Sequence, residues 1–163
     1  MMRRTTLGLL ILVACGGGKK SLDQADVQAK VGAEAADQVG VAAASTTCPG
    51  GLKAAAGTSF SCDVTFQGGG KLTFKVDQTD AAGSLSFSPV GDWLLGDKME
   101  TDLITEMFLI GNRDAAVDCG GAVVPITLPG SIQCSVTRGS ASAKIEVAVD
   151  AQRNVDWKLV GTL

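Results

Sequence analysis

The sequence predicts an α+β protein of two tandem modules, each with one helix packed on a three- or four-stranded antiparallel sheet and each carrying one disulfide. A cysteine-centred motif occurs twice, two segments show helical spacing of apolar residues, and several short segments alternate apolar and polar residues. The modules are expected at 21–92 and 97–163. Trp93, in the segment 92–96 that joins them, is expected to pack between the modules rather than bind a ligand.

The repeat has a period of roughly 70 residues. Its first copy runs from Cys48 to Phe66 and its second from Cys119 to Arg138, with similar intervals between the two cysteines of each copy. Downstream, Lys71–Asp77 matches Lys144–Asp150, because both begin with lysine, end with aspartate and have apolar residues at the second, fourth and sixth positions. The two halves therefore indicate duplication of one ancestral unit.

A helical segment precedes the cysteines of each copy. Ser21–Gln24 predicts a capping box, and an alanine-rich helix is expected to run to about Gln38 and end at Gly40. Asp97–Glu100 predicts a similar cap for the second helix, and Gly111 a similar end. The apolar stripe expected to face the second sheet consists of Leu103, Met107 and Ile110, flanked by Ile104 and Phe108.

The remaining segments alternate with a period of two, which is typical of strands with one buried face. Gly68–Gly70, Ala82–Gly83 and Arg153–Asn154 are expected to be turns between these strands. The residues predicted to face the core are Phe60, Cys62, Val64, Phe66, Leu72, Phe74, Val76, Leu85 and Phe87 in the first copy, and Ile132, Cys134, Val136, Ile145, Val147, Val149, Val155, Trp157 and Leu159 in the second.

The N-terminus has the features of an export signal. Residues 1–14 combine two arginines with an apolar run, as in a signal peptide. Leu12–Cys15 resembles the lipobox of bacterial lipoproteins, which implies that the sulfur of Cys15 is acylated and that residues 15–20 form a lipidated tether. The expected location is outside the cytoplasm, anchored to the cell membrane or the outer membrane of the bacterial envelope.

The net charge and the cysteine content indicate which classes of partner and which disulfide pairs to expect. Without Arg3 and Arg4, the net charge of −3 becomes about −5, which argues against a nucleic acid partner. The four cysteines after Cys15 allow three disulfide connectivities, and the repeat favours pairing within each copy. The expected pairs are Cys48 with Cys62 and Cys119 with Cys134, and the expected partners are the membrane, through the lipid, and an envelope protein.

No residue pattern predicts catalysis, a metal or a cofactor. The chain has no histidine, and its cysteines lack the close pairs of a zinc site. Asp77–Gly83 could supply calcium ligands but fits an ordinary hairpin turn better. The acidic residues Glu100, Asp102 and Glu106 fit a solvated helix surface, and they leave a carboxylate-dependent hydrolase as an unfavoured alternative.

The cysteine motifs also carry a family resemblance. Cys48–Pro49, Gly57–Thr58 and Phe60–Val64 resemble a short bacterial domain of unknown function found in lipoproteins and membrane-tethered proteins. The second copy fits it less well, since Gly120 stands in place of the proline and Ile132 in place of the phenylalanine. The resemblance implies an extracytoplasmic location and a paired disulfide, and it implies no activity.

These observations favour a non-catalytic binding or envelope-structural module. The layout also resembles the tandem modules of the beta-lactamase inhibitory proteins, which makes an inhibitor of a secreted or envelope enzyme the main alternative. That alternative requires an apolar or aromatic patch on the solvated sheet faces. Trp157 is expected to face the core, and an exposed Trp157 would instead mark a binding surface.

Overall fold

The computed structural model describes residues 21–163 and shows a mixed α and β protein with antiparallel sheets. The predicted signal peptide, Cys15 and the tether lie outside the described residues. In chain order the elements are α1 (Gln24–Val39), β1 (Ala43–Thr47), β2 (Ser59–Phe66), β3 (Lys71–Gln78), β4 (Leu85–Pro89), β5 (Asp92–Leu95), α2 (Gly96–Leu109), β6 (Ala116–Asp118), β7 (Val123–Ile126), β8 (Gly130–Arg138), β9 (Ala141–Val149) and β10 (Val155–Val160).

The strands form two four-stranded sheets and one two-stranded sheet. The first sheet has the order β1-β2-β3-β4 and the second the order β10-β9-β8-β6. The third pairs β5 with β7, so the segment expected only to join two modules is itself a strand. Strands β1 and β6 were not among the expected alternating segments, because Ala43–Thr47 has no apolar alternation and β6 has only three residues.

Helix α1 begins two residues later than the capping box predicts. Asp23, rather than Ser21, is the N-cap, and its side chain accepts a hydrogen bond from the backbone N–H of Asp26. Ser21 instead forms an isolated bridge with Lys53, and this keeps it in extended backbone. The predicted end is confirmed, because Gly40 caps the helix with a φ of 80°.

Helix α2 differs from its prediction at its start but ends as predicted, because Gly111, with a φ of 95°, follows the C-cap Ile110. It begins at Gly96 and has no side-chain cap, because its N-cap Leu95 has an apolar side chain. Glu100, expected in a capping box, instead accepts a hydrogen bond from the backbone N–H of Cys119. Leu103 and Met107 are buried as expected. The other three members of the predicted stripe are exposed, since the buried line of this helix runs through Met99; they are Ile104, Phe108 and Ile110.

Each four-stranded sheet contains one disulfide between neighbouring strands, at equivalent positions in the two sheets. Cys48 follows β1 and bonds to Cys62 in β2, 14 residues away, and Cys119 follows β6 and bonds to Cys134 in β8, 15 residues away. All four cysteines are buried within the two apolar clusters that lie under the helices. Each bond therefore joins an edge strand to its neighbour inside the core.

The hairpins β3–β4 and β9–β10 share one turn design. The carboxylate of Asp80 accepts hydrogen bonds from the backbone N–H groups of Ala82 and Ser84. Asp150 accepts from the same relative positions, Gln152 and Asn154. Hydrogen bonds from Ser84 and from Asn154 hold the pKa of the two carboxyls below their ordinary value. The region considered for calcium is thus a hairpin turn that Asp80 organises.

The turn between β2 and β3 contacts the segment that leads into β7. The backbone N–H of Ala122 donates to the carbonyl oxygen of Gly68 at 3.0 Å, and that of Val123 donates to Gly69 at 3.2 Å. A Cβ atom on Gly70 would lie 1.8 Å from the carbonyl oxygen of Val123, so only glycine fits there. Val123 is buried in the cluster of the first sheet.

We expect the second disulfide to stabilise the fold measurably. Cross-linking a loop of about 15 residues contributes roughly 3 kcal/mol in the chain-entropy model, so Cys119→Ala with Cys134→Ala should lower the free energy of unfolding by about that amount. Guanidinium titration of the wild type and the double variant measures the difference. A loss below about 1 kcal/mol would contradict a stapling role for this bond.

The two turn aspartates make stability depend on pH. Because their pKa is lowered in the folded state, their stabilising effect is present above the ordinary aspartate pKa and is lost as the pH falls through the folded value. Asp80→Asn with Asp150→Asn keeps an accepting oxygen without a titrating group, so its urea midpoint should fall less than that of the wild type between about pH 5 and pH 3. Asp37→Asn, on the surface of α1, is the control and should keep the wild-type slope.

Candidate functional site

A groove bounded by β5, α2 and β10 is a prominent concave surface among the described residues. It encloses about 600 Å³, within the range of small-molecule sites in proteins. The residues that line it are Trp93, Leu94, Leu95, Lys98, Met99, Asp102, Leu103, Glu106, Arg153, Val155 and Trp157. Its walls are mostly apolar, and its charged residues come from α2 and from the turn before β10.

The groove exists because α2 leaves part of its sheet uncovered. In the first half, α1 packs against both edge strands of its sheet, β1 and β4. In the second half, α2 packs closely against β6 and β5 rather than against the other edge strand, β10. The inner face of β10 is therefore only partly covered, and Trp157 and Leu159 are half-buried there.

Both tryptophans of the chain line this groove. Trp93 also packs against the apolar cluster of the first sheet, whereas Trp157 packs against that of the second. Both side chains are half-buried. Each indole ring thus packs partly against a core and is partly exposed, where a ligand could contact it. Such half-buried aromatic side chains are common at binding sites. The sequence placed the two tryptophans in separate segments, and no pattern in the chain predicted that they would line the same groove.

Two ion pairs lie along the rim. Lys98 Nζ lies 2.7 Å from Asp102 Oδ2 one turn further along α2, and Arg153 pairs with Asp92 at the start of β5. The second pair ties the β9–β10 turn to β5, and so it fixes one end of the groove. Within residues 21–163, Glu106 is the one charged lining residue that forms no ion pair.

The acidic residues Glu100, Asp102 and Glu106 of α2 do not form one cluster. Asp102 and Glu106 line the groove, but Glu100 reaches the backbone of Cys119 on the other side of the helix. Asp102 and its partner Lys98 are both well exposed to solvent. Their arrangement fits an ordinary i,i+4 pair on a helix surface.

The outer faces of both four-stranded sheets are polar. Along β2 and β8, the residues that point away from the core are serine, threonine, aspartate and glutamine. None of these outward-facing residues of β2 and β8 is aromatic. The larger exposed apolar residues lie elsewhere, among them Phe108, Leu109 and Ile110 at the end of α2, where Arg113 lies over the ring of Phe108 at 5.1 Å.

One known family matches the first half of the chain. Residues 7–83 match the domain of unknown function DUF4333. The DUF4333 match spans α1 and β1 to β3 and ends in the turn before β4, so it confirms the expected resemblance to a domain of unknown function. No curated protein and no solved structure matches the chain.

Two further findings bear on location. The disulfides indicate an oxidising, extracytoplasmic environment, because such bonds rarely persist in the cytosol. Between residues 21 and 163, no helix is both long and apolar enough to cross a bilayer. The same part of the chain contains no group of three or more histidine, cysteine, aspartate or glutamate side chains arranged to hold a metal ion.

Proposed function

We propose that this protein is a lipid-anchored, extracytoplasmic binding module, and that the groove between β5, α2 and β10 holds its ligand. The observation that carries the proposal is the convergence of both tryptophans on this one groove. Tryptophan is enriched among residues that dominate binding energy, and here two of them stand beside aliphatic side chains in a concave surface.

The residues that line the groove also favour a particular chemistry for the ligand. Leu94, Met99 and Leu103 together with the indole rings favour a flat apolar portion. At the rim, Lys98 and Arg153 are each neutralised by an aspartate, which leaves the carboxylate of Glu106 as the uncompensated charge. We infer that the ligand carries a positively charged group beside its apolar portion, because indole faces also attract cations.

The proposal includes two tandem copies of one unit. Four features recur in both halves: a helix with buried residues at four-residue intervals, a disulfide after the edge strand, a helix side chain bonded to the backbone of the first cysteine, and an aspartate-organised hairpin turn. In α1 the buried residues are Val27, Val31 and Ala35, and in α2 they are Met99, Leu103 and Met107. The recurring backbone contacts are Gln24 to Cys48 and Glu100 to Cys119, both at 2.8 Å.

The groove can be tested with dansylcadaverine, which has an aromatic ring system and a primary ammonium group. Binding to a soluble fragment of residues 21–163 should transfer excitation energy from the tryptophans to the dansyl group. Val155→Lys places a cation in the groove and should weaken binding about tenfold or more. The matched control is Val160→Lys on the same strand, because Val160 is 48% exposed, close to the 55% of Val155, and does not line the groove.

Unchanged binding by V155K would contradict the groove as the ligand site. Dansyl sulfonate, which has the same rings and a negative charge, should bind more weakly than dansylcadaverine to the wild type. Equal binding of the two probes would contradict the role assigned to Glu106 and leave an apolar groove without charge preference.

The lipid anchor has its own test. Acyl chains on Cys15 would hold the chain on a membrane, because each buried methylene contributes about 0.8 kcal/mol and two or more chains give stable attachment. Cys15→Ser should therefore move the protein from the membrane fraction to the soluble fraction on cell fractionation. Cys48→Ser with Cys62→Ser also replaces cysteines, here those of the first disulfide, and should leave the folded fraction of the protein on the membrane. Retention of C15S on the membrane would contradict lipid anchoring at this residue.

A further inference from the structure

Strand β10 is an edge strand with an open side. It pairs with β9 through all six of its residues, and no other strand between residues 21 and 163 pairs with it. Unpaired N–H and C=O groups along such an edge can accept a further strand. At Trp157 the backbone N–H donates to the carboxylate of the adjacent Asp156 at 2.9 Å, and a second strand would replace this local bond. The edge is regular, since its register with β9 runs without a shift from Val155 to Val160.

The other three edges of the four-stranded sheets are less suited to pairing. Strand β1 has a register shift between Ala43 and Ser45, β4 has five residues and ends at Pro89, and β6 has only three residues. A bulge, a proline and a very short strand each limit the addition of another strand. Strand β10 is longer than these and contains neither a proline nor a bulge.

The sequence of β10 is complementary to itself. In an antiparallel pair, opposite residues either both point their backbone groups at the partner or both point them away, so a strand that pairs with its own copy about a two-fold axis must be centred on a residue. Centring on Trp157 sets Asp156 opposite Lys158 of a second copy, and the reverse pair forms on the other side of the axis. It also sets Val155 opposite Leu159, so charge meets opposite charge and apolar meets apolar.

We propose that β10 is a homotypic interface, at which a second copy of this chain adds its own β10 antiparallel, centred on Trp157. The two four-stranded sheets then form one continuous sheet of about eight strands, built by an isologous contact. The proposal does not depend on the proposed ligand. It does place the two grooves on either side of the axis, where Trp157 of one copy lies opposite Trp157 of the other.

Few charged side chains lie on β10 or directly opposite it on β9. Lys158 faces Glu146 of β9 on its own sheet, with Nζ and Oε2 3.1 Å apart, and it would gain Asp156 of the second copy on its open side. Asp156 lies opposite Ala148 on β9, so on its own sheet it has no directly opposed charge. The open side of β10 therefore offers each aspartate its direct opposite charge.

Charge exchange at these two positions tests the interface. Full-length chains with two different affinity tags, co-expressed and extracted in detergent, should co-purify when both are wild type. Asp156→Lys paired with itself sets lysine opposite lysine, and Lys158→Asp paired with itself sets aspartate opposite aspartate. Each single variant should therefore lose co-purification by about tenfold or more. One copy of D156K with one copy of K158D restores both opposite-charge pairs and should co-purify again.

The control variants are Asp37→Lys and Lys30→Asp, which make the same changes of charge on the surface of α1. They should co-purify like the wild type, alone and mixed. Near-ultraviolet circular dichroism of each variant checks that the tryptophans keep their folded environment. Absence of wild-type co-purification, or a mixture of D156K and K158D that pairs no better than either variant alone, would overturn the proposal.

Discussion

The width of one helix constrains the whole architecture. Four strands about 4.8 Å apart span about 14 Å between the outer strand axes, whereas a helix with its side chains is about 10 Å wide. A single helix therefore cannot cover the apolar face of a four-stranded sheet. In the first half, residues from β5 and β7 complete the cover, since Trp93 and Val123 pack against that cluster. In the second half Leu94 and Ile126 of the same two strands also pack against the cluster, but within residues 21–163 the side of the sheet at β10 stays partly open as the groove.

This constraint also explains the placement of the disulfides. The helix of each half lies close to an edge strand, and that edge is where the buried disulfide joins the next strand. A side chain from the helix reaches the backbone of the first cysteine, so helix, edge strand and neighbouring strand meet at one point. The opposite edge of the second sheet has no such fastening. It is the edge that is free to contact a ligand or another chain.

Much of the fold could be predicted from the sequence, because strands with one buried face leave a clear alternation. The long strands β2, β3, β8 and β9 follow it residue by residue. The helix starts were less predictable, since Ser21 and Asp23 are both suitable caps and only the bridge to Lys53 selects between them. Glu100 had the position of a capping residue, but a distant backbone N–H competes for it.

The groove could not be predicted for a related reason. Trp93 was placed in a joining segment, and the pairing of that segment with β7 depends on contacts distant in sequence. Trp157 was placed by alternation, which gives the face of a strand but not how much of that face a helix covers. The convergence of the two indoles depends on where α2 lies across its sheet, and no periodicity in the chain encodes that position.

The three glycines between β2 and β3 have a consequence for how this chain can change over time. Gly68 and Gly69 are on the surface, where substitutions are ordinarily tolerated. Their carbonyl oxygens nevertheless hold the segment that leads into β7, and the carbonyl of Val123 fills the space beside Gly70. This surface turn is thus fixed to a backbone segment more than 50 residues away in the sequence, so substitutions in either segment are restricted by the other.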